Sequence, residues 1–184
     1  MKIKLKELLT ETRINDYGCV MLYFDFPRMS EIHSLINEND IFINPDDDSY
    51  GLEDEPHCTL LYGLHEGVTI KDVLNSLRNI TFGDCRIHTP SLFENERYDV
   101  LKFEVGYPTR GGAFLHKANQ QLKKFPYTSE YPNYHPHLTI AYLKNGMGKK
   151  YVDILNKNKL TEFVLAPAYG VYSQTNGNKI KFKI

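Results

Sequence analysis

The chain has no apolar run of about 18 residues, so nothing in its 184 residues reads as a membrane span. Its opening stretch, Met1-Lys2-Ile3-Lys4-Leu5-Lys6-Glu7-Leu8-Leu9, is basic but lacks the continuous apolar segment and small-residue cleavage site of a signal peptide. Residues 1–16 read instead as an N-terminal arm, ahead of a single bilobal domain over 17–184. Cysteine is scarce: Cys19, Cys58 and Cys85 are odd in number, widely spaced and without a C-x-x-C pair, as expected of reduced core thiols in a cytoplasmic protein. An excess of positive charge is missing too. A formal net charge of −1 argues against a broad basic surface for long-duplex nucleic acid and leaves room for a small anionic ligand.

What is present is a phrase stated twice. Pro56-His57-Cys58-Thr59-Leu60-Leu61-Tyr62 is echoed by Pro136-His137-Leu138-Thr139-Ile140-Ala141-Tyr142, with Pro, His, Thr and Tyr at the same offsets. With 9 Pro, 7 His, 11 Thr and 13 Tyr in the chain, chance would supply such a match roughly once in a thousand. In an extended strand side chains alternate faces, so His57 projects with Thr59 and His137 with Thr139. Cys58, Leu60 and Tyr62 then form a core face, as do Leu138, Ile140 and Tyr142. If the two halves face one another, the His-x-Thr pairs meet across a groove.

The flanking elements repeat as well. Gly18 to Phe26 reads as a buried strand stopped by Pro27, and Ser30 as the cap of a following helix. Residues 44–55 carry Pro45, Gly51 and the six acids Asp46, Asp47, Asp48, Glu53, Asp54 and Glu55, and read as a mobile, solvated loop. After the first phrase, Thr69 with Asp72 marks a helix start. A hairpin follows from two runs, 80–93 and 98–105, and Ala113 to Phe125 is helical. The second phrase leads into a short helix around Tyr151, and the chain ends as a hairpin of 163–173 and 179–184 turned at Asn176-Gly177. Strand, helix and hairpin recur in both halves, which points to an α+β chain of two similar lobes.

These residues resemble the 2H phosphoesterase superfamily, whose signature is two H-x-[ST] motifs, each followed by apolar residues and roughly 80 positions apart. His57 and His137 are 80 positions apart. The superfamily includes 2′-5′ RNA ligases, RNA 2′,3′-cyclic phosphodiesterases and phage anti-CBASS enzymes that degrade cyclic nucleotide signals. The resemblance implies a pseudo-two-fold fold, with two antiparallel sheets lining a central groove and helices outside. It also implies catalysis by His57 and His137 and phosphate binding by Thr59 and Thr139. The acidic loop and the Lys-rich first residues have no place in that pattern.

The chemistry suits the residues. An imidazole with an ordinary pKa of about 6.5 serves as base when neutral and as acid when protonated, so two opposed histidines suffice without a metal or cofactor. Threonine hydroxyls can hydrogen-bond the non-bridging phosphate oxygens. The acids before His57 nominate it as the acid. Tyr23, Tyr131 and Tyr134 are candidates for base stacking, and Arg110 for a phosphate contact.

The expectation is thus a monomeric, metal-independent phosphodiesterase for a small nucleotide or short RNA: a 2′,3′-cyclic phosphate, a 2′-5′ linkage or a cyclic di- or oligonucleotide. It would act in the cytoplasm, or in the host cytoplasm if phage-encoded. A non-catalytic module sequestering a cyclic nucleotide or RNA end, and a 2′-5′ RNA ligase, are the alternatives. Two bland readings stand beside these: His135-x-His137 as part of a zinc site, and His33, His65, His88 and His116 as structural histidines.

Overall fold

The computed structural model describes residues 17–106, 113–129 and 133–184. Among them, eight strands form two antiparallel four-stranded sheets. The first sheet has the order β2(His57–Leu64), β1(Gly18–Phe24), β7(Pro167–Ser173), β8(Lys179–Phe182). The second has the order β5(His137–Lys144), β4(Tyr98–Gly106), β3(Cys85–Glu94), β6(Glu162–Leu165). Each His-x-Thr strand is therefore an edge strand, paired on one side with the strand that opens its own half. Helices α1(Met29–Ser34), α2(Ile70–Leu77), α3(Phe114–Leu122) and α4(Gly148–Lys157) complete the α+β architecture. One continuous apolar cluster joins the halves, with Leu22 and Leu60 from the first sheet and Phe103 and Leu138 from the second all fully buried.

Local sequence accounts for the elements. Thr69 and Asp72 form a reciprocal capping box at the start of α2, as their spacing predicts. Gly177, with φ of +82°, turns the last hairpin. Ser30 does not cap α1: it lies inside the helix, and Arg28 holds the cap position. The run at 80–93 becomes a strand only from Cys85. The run at 163–173 is not one strand but two. Phe163 enters the core beside Phe26 and Phe103 while β6 pairs with β3. The chain then crosses to the other sheet, where Pro167 opens β7, a position at which a missing N–H is tolerated.

A β-bulge sits at the same place in both repeats. Val20 and Met21 pair with Leu61 and Thr59, skipping Leu60; Leu101 and Lys102 pair with Ala141 and Thr139, skipping Ile140. The extra residue resets the alternation, so Leu60 and Leu61 are both buried, as are Ile140 and Ala141. Tyr62, expected on the core face, consequently emerges 54% exposed.

Each bulge carbonyl is held by the opposite half. Asn119 on α3 donates its side-chain amide to the Leu60 carbonyl at 2.7 Å, and His33 on α1 meets the Ile140 carbonyl at 3.1 Å. The free edges of β2 and β5 are covered in the same crossed fashion. Residues 126–128 line β2, with Thr128 N–H donating to the Gly63 carbonyl and His65 N–H to the Pro126 carbonyl. Residues 41–53 line β5, where Tyr142 N–H donates to Gly51 and Glu53 N–H to Ile140. The acidic segment is therefore not a free loop: main-chain bonds fix it, and Phe42 and Tyr50 pack with Tyr98 and Tyr142 at ring separations of 5.0 to 5.6 Å. Edge strands with unpaired groups need such covering, and the aromatic residues pack while Asp46, Asp48, Asp54 and Glu55 stay exposed.

Candidate active site

β2 and β5 run side by side where the sheets meet. The buried Cys58 thiol lies against the His137 main chain, and the Tyr134 hydroxyl donates to the Thr59 carbonyl at 3.0 Å. These contacts bring the two His-x-Thr strands together, one from each sheet. His57, Thr59, His137 and Thr139 are all half-buried, while Cys58, Leu60, Leu138 and Ile140 beneath them are sealed.

The imidazoles are set in the same way. His57 donates Nδ1–H to the Glu55 carbonyl at 2.9 Å, and His137 donates Nδ1–H to the His135 carbonyl at 2.8 Å. In each case the acceptor is the residue two positions earlier. A carbonyl can only accept, so Nδ1 carries the proton and Nε2 is left as the titrating atom.

The supports differ. Opposite His57 and Thr59 on the neighbouring strand stand Tyr23 and Met21. The Tyr23 ring lies 5.2 Å from His57 and stacks at 5.1 Å on Tyr169, and Lys181 sits over the other ring. Tyr23 is only 7% exposed, so its ring is a wall of the site rather than an open platform. Burial, followed by the Glu55 and Glu53 carboxylates, pushes its phenol upward and keeps it protonated. Glu53 also places a carboxylate 3.7 Å from His57 Nδ1.

Opposite His137 and Thr139 stand Glu104 and Lys102. Lys102 is 2% exposed; its ammonium bonds Glu104 and the Ser91 hydroxyl and lies 4.3 Å from the centroid of the Phe93 ring. Ser91 Oγ also donates to Glu104 at 2.7 Å, and His135 Nε2 meets its other oxygen at 2.5 Å. Burial alone would raise the Glu104 carboxyl, but these three donors hold it at about 2. Phe93 stands edge-on to His137 at 4.9 Å. Burial lowers the His137 pKa; the His135 carbonyl opposes that, Lys102 adds to it and Glu104 opposes it.

Sequence reasoning named both His-x-Thr pairs but missed Lys102, Glu104, Ser91 and Phe93. The signal was present in Val100-x-Lys102-x-Glu104, two charges at strand period in an otherwise apolar run. Of the other candidates, Tyr134 ties β5 to β2 through its hydroxyl and sets its ring against His116. Tyr131 and Arg110 lie outside the described residues. His88, Glu104, His116, Tyr134 and His135 line a cleft of about 440 Å³ beside the His137 strand. The described residues contain no cluster of three or more His, Cys, Asp or Glu arranged to hold a metal ion. Cys58 is no nucleophile: burial pushes its thiol up to about 12.

Two His-x-Thr strands set side by side, one from each of two antiparallel four-stranded sheets, form a fold that this chain shares with solved structures. Usb1 of Kluyveromyces marxianus superimposes with a TM-score of 0.58 over 92% of this chain and 99% of its own, at 12% identity. Its structure with uridine monophosphate gives a TM-score of 0.60 over the same spans, also at 12% identity. No family model and no curated protein matches the sequence. None of the helices among the described residues is long and apolar enough to cross a membrane.

Proposed function

We propose that the chain is a phosphodiesterase that cleaves a small nucleotide phosphodiester by two-histidine acid–base catalysis. The observation that carries this reading is the matched setting of the two imidazoles, each with Nδ1–H donated to the carbonyl two residues earlier and a threonine beside it on the same face. A binding module has no need of two titrating groups presented alike. Support for a nucleotide comes from Usb1, a protein of the same fold that has been solved with uridine monophosphate.

In this reading the phosphate sits between the histidines. His137, held neutral by burial, takes the proton from the attacking oxygen at Nε2 as the new P–O bond forms. Protonated His57, with Glu53 at hand, gives a proton to the departing oxygen as the old P–O bond breaks. The Thr59 and Thr139 hydroxyls donate to the non-bridging oxygens, where charge builds. The substrate class comprises 2′,3′-cyclic phosphates, 2′-5′ linkages and cyclic di- or oligonucleotides, including the immune signals that phage anti-CBASS enzymes destroy. The near-neutral charge favours these over long duplexes, acted on by a monomer in the cytoplasm.

The test is turnover of those three substrate classes in EDTA. Cleavage of one class without metal is the expected result and names the substrate. Cleavage that needs added metal would transfer His135 and His137 to a metal site, joining of ends would mark a ligase, and saturable binding without turnover a sequestering module.

A further inference from the structure

The two halves repeat the catalytic phrase but not its support. At the position where β1 offers Tyr23 to His57, β4 offers Glu104 to His137. A carboxylate in a half-buried place is costly unless its lone pairs are filled. Here they are filled: Oε1 accepts from Lys102 and Ser91, and Oε2 from His135 Nε2–H. The lysine is buried beside it, and its ammonium bonds Glu104 and the Ser91 hydroxyl and faces the Phe93 ring. The network does not end at His135, because the carbonyl of that residue holds His137 Nδ1–H.

We propose that Glu104, clamped by Lys102 and Ser91, is a positioning residue for His137. It fixes His135, whose carbonyl in turn fixes the imidazole tautomer that turns Nε2 to the groove. The proposal rests on the two-histidine reading of the groove. It makes the second half the rigid, preset partner and gives the repeat a functional asymmetry that the matched His-x-Thr phrases conceal.

The groups packed against His137 are Lys102 and Glu104 from β4, His135 just ahead of β5, the Phe93 ring from β3 and the neutral Cys58 thiol from β2, with His57 of β2 on the far side of the phosphate in this reading. Two of these carry fixed charges of opposite sign, so removing each displaces the His137 titration in opposite directions. Without the Glu104 charge the imidazolium loses an attraction; without the Lys102 charge it loses a repulsion.

The experiment follows His137 by ¹⁵N NMR titration and, in parallel, the acidic limb of kcat/KM, in the wild type, Glu104→Gln, Lys102→Met and the double variant. Glu104→Gln is expected to move the titration to lower pH by about half a unit to one unit and to lower kcat at neutral pH by about ten- to a hundredfold, with KM little changed. Lys102→Met is expected to move the titration to higher pH. The double variant, which leaves no unpaired buried charge, guards against a simple folding failure and should titrate close to the wild type with kcat still reduced. Titrations that stay in place, or that move together in the two single variants, would overturn the proposal. So would a wild-type His137 protonated at Nε2 rather than Nδ1 when neutral. The NMR reading needs no substrate. Shifts of the expected sign without turnover of any substrate would uphold the positioning role while defeating the phosphodiesterase reading.

Discussion

His137 and Asn119 show how single side chains carry the design. Burial holds the His137 pKa below the ordinary value of about 6.5. Unfolded, this imidazole takes a proton near pH 6.5; folded, it resists. The stability it contributes is therefore present above pH 6.5 and is lost as pH falls through the depressed folded pKa. With His137 as base, the acidic limb of kcat/KM is expected below 6.5; a limb above 6.5 would assign the base to another group. Asn119 is 4% exposed and satisfies the Leu60 carbonyl at the bulge beside Thr59. Asn119→Ala leaves that carbonyl orphaned and is expected to cost about 1 to 3 kcal/mol in urea unfolding. Both histidines and both threonines were legible because a strand's period of two puts them on one face. Lys102 and Glu104 stand out as charges in an apolar run, but their role was not legible, because it depends on which strand faces them across the sheet, and pairing is a non-local fact.

At the scale of elements, the crossed covering of β2 and β5 is the feature that local sequence could not announce. The segment at 41–53 reads as an acidic loop by composition, yet its backbone groups close on β5 and its aromatic residues pack beneath. The amides of Tyr142 and Glu53 should therefore exchange slowly with solvent; exchange at the rate of an open loop would contradict the covering of β5. Gly63 offers a sharper test on the other edge. Its φ is +104°, and an added Cβ would fall 1.8 Å from the Thr128 carbonyl oxygen. Gly63→Ala is expected to destabilise by on the order of 2 kcal/mol and to displace residues 126–128, seen as loss of protection at the Thr128 amide. The bulges belong to the same class of missed detail. A repeat of apolar residues after each threonine predicts strict alternation, whereas the register skips one residue in each strand and turns Tyr62 outward.

For the whole molecule, the doubled phrase was enough to foresee two similar halves around a groove, because each half must bury the apolar face that its His-x-Thr strand leaves behind. The exchange of the chain between sheets at Pro167 was not foreseeable, since the run from Phe163 to Ser173 has uniform strand character and only the competition between two open sheet edges divides it. That exchange shapes the candidate site: β7 brings Tyr169 against Tyr23 behind His57, while β6 pairs at the edge of the sheet that carries His137. The central proposal is that one phosphate is worked on by two histidines from opposite sheets. Its most direct test is single-turnover cleavage of the preferred nucleotide in EDTA by the wild type, His57→Ala and His137→Ala. Cleavage by the wild type and a loss of at least about a hundredfold in each variant is the expected result. Full activity in either variant would contradict a two-histidine site.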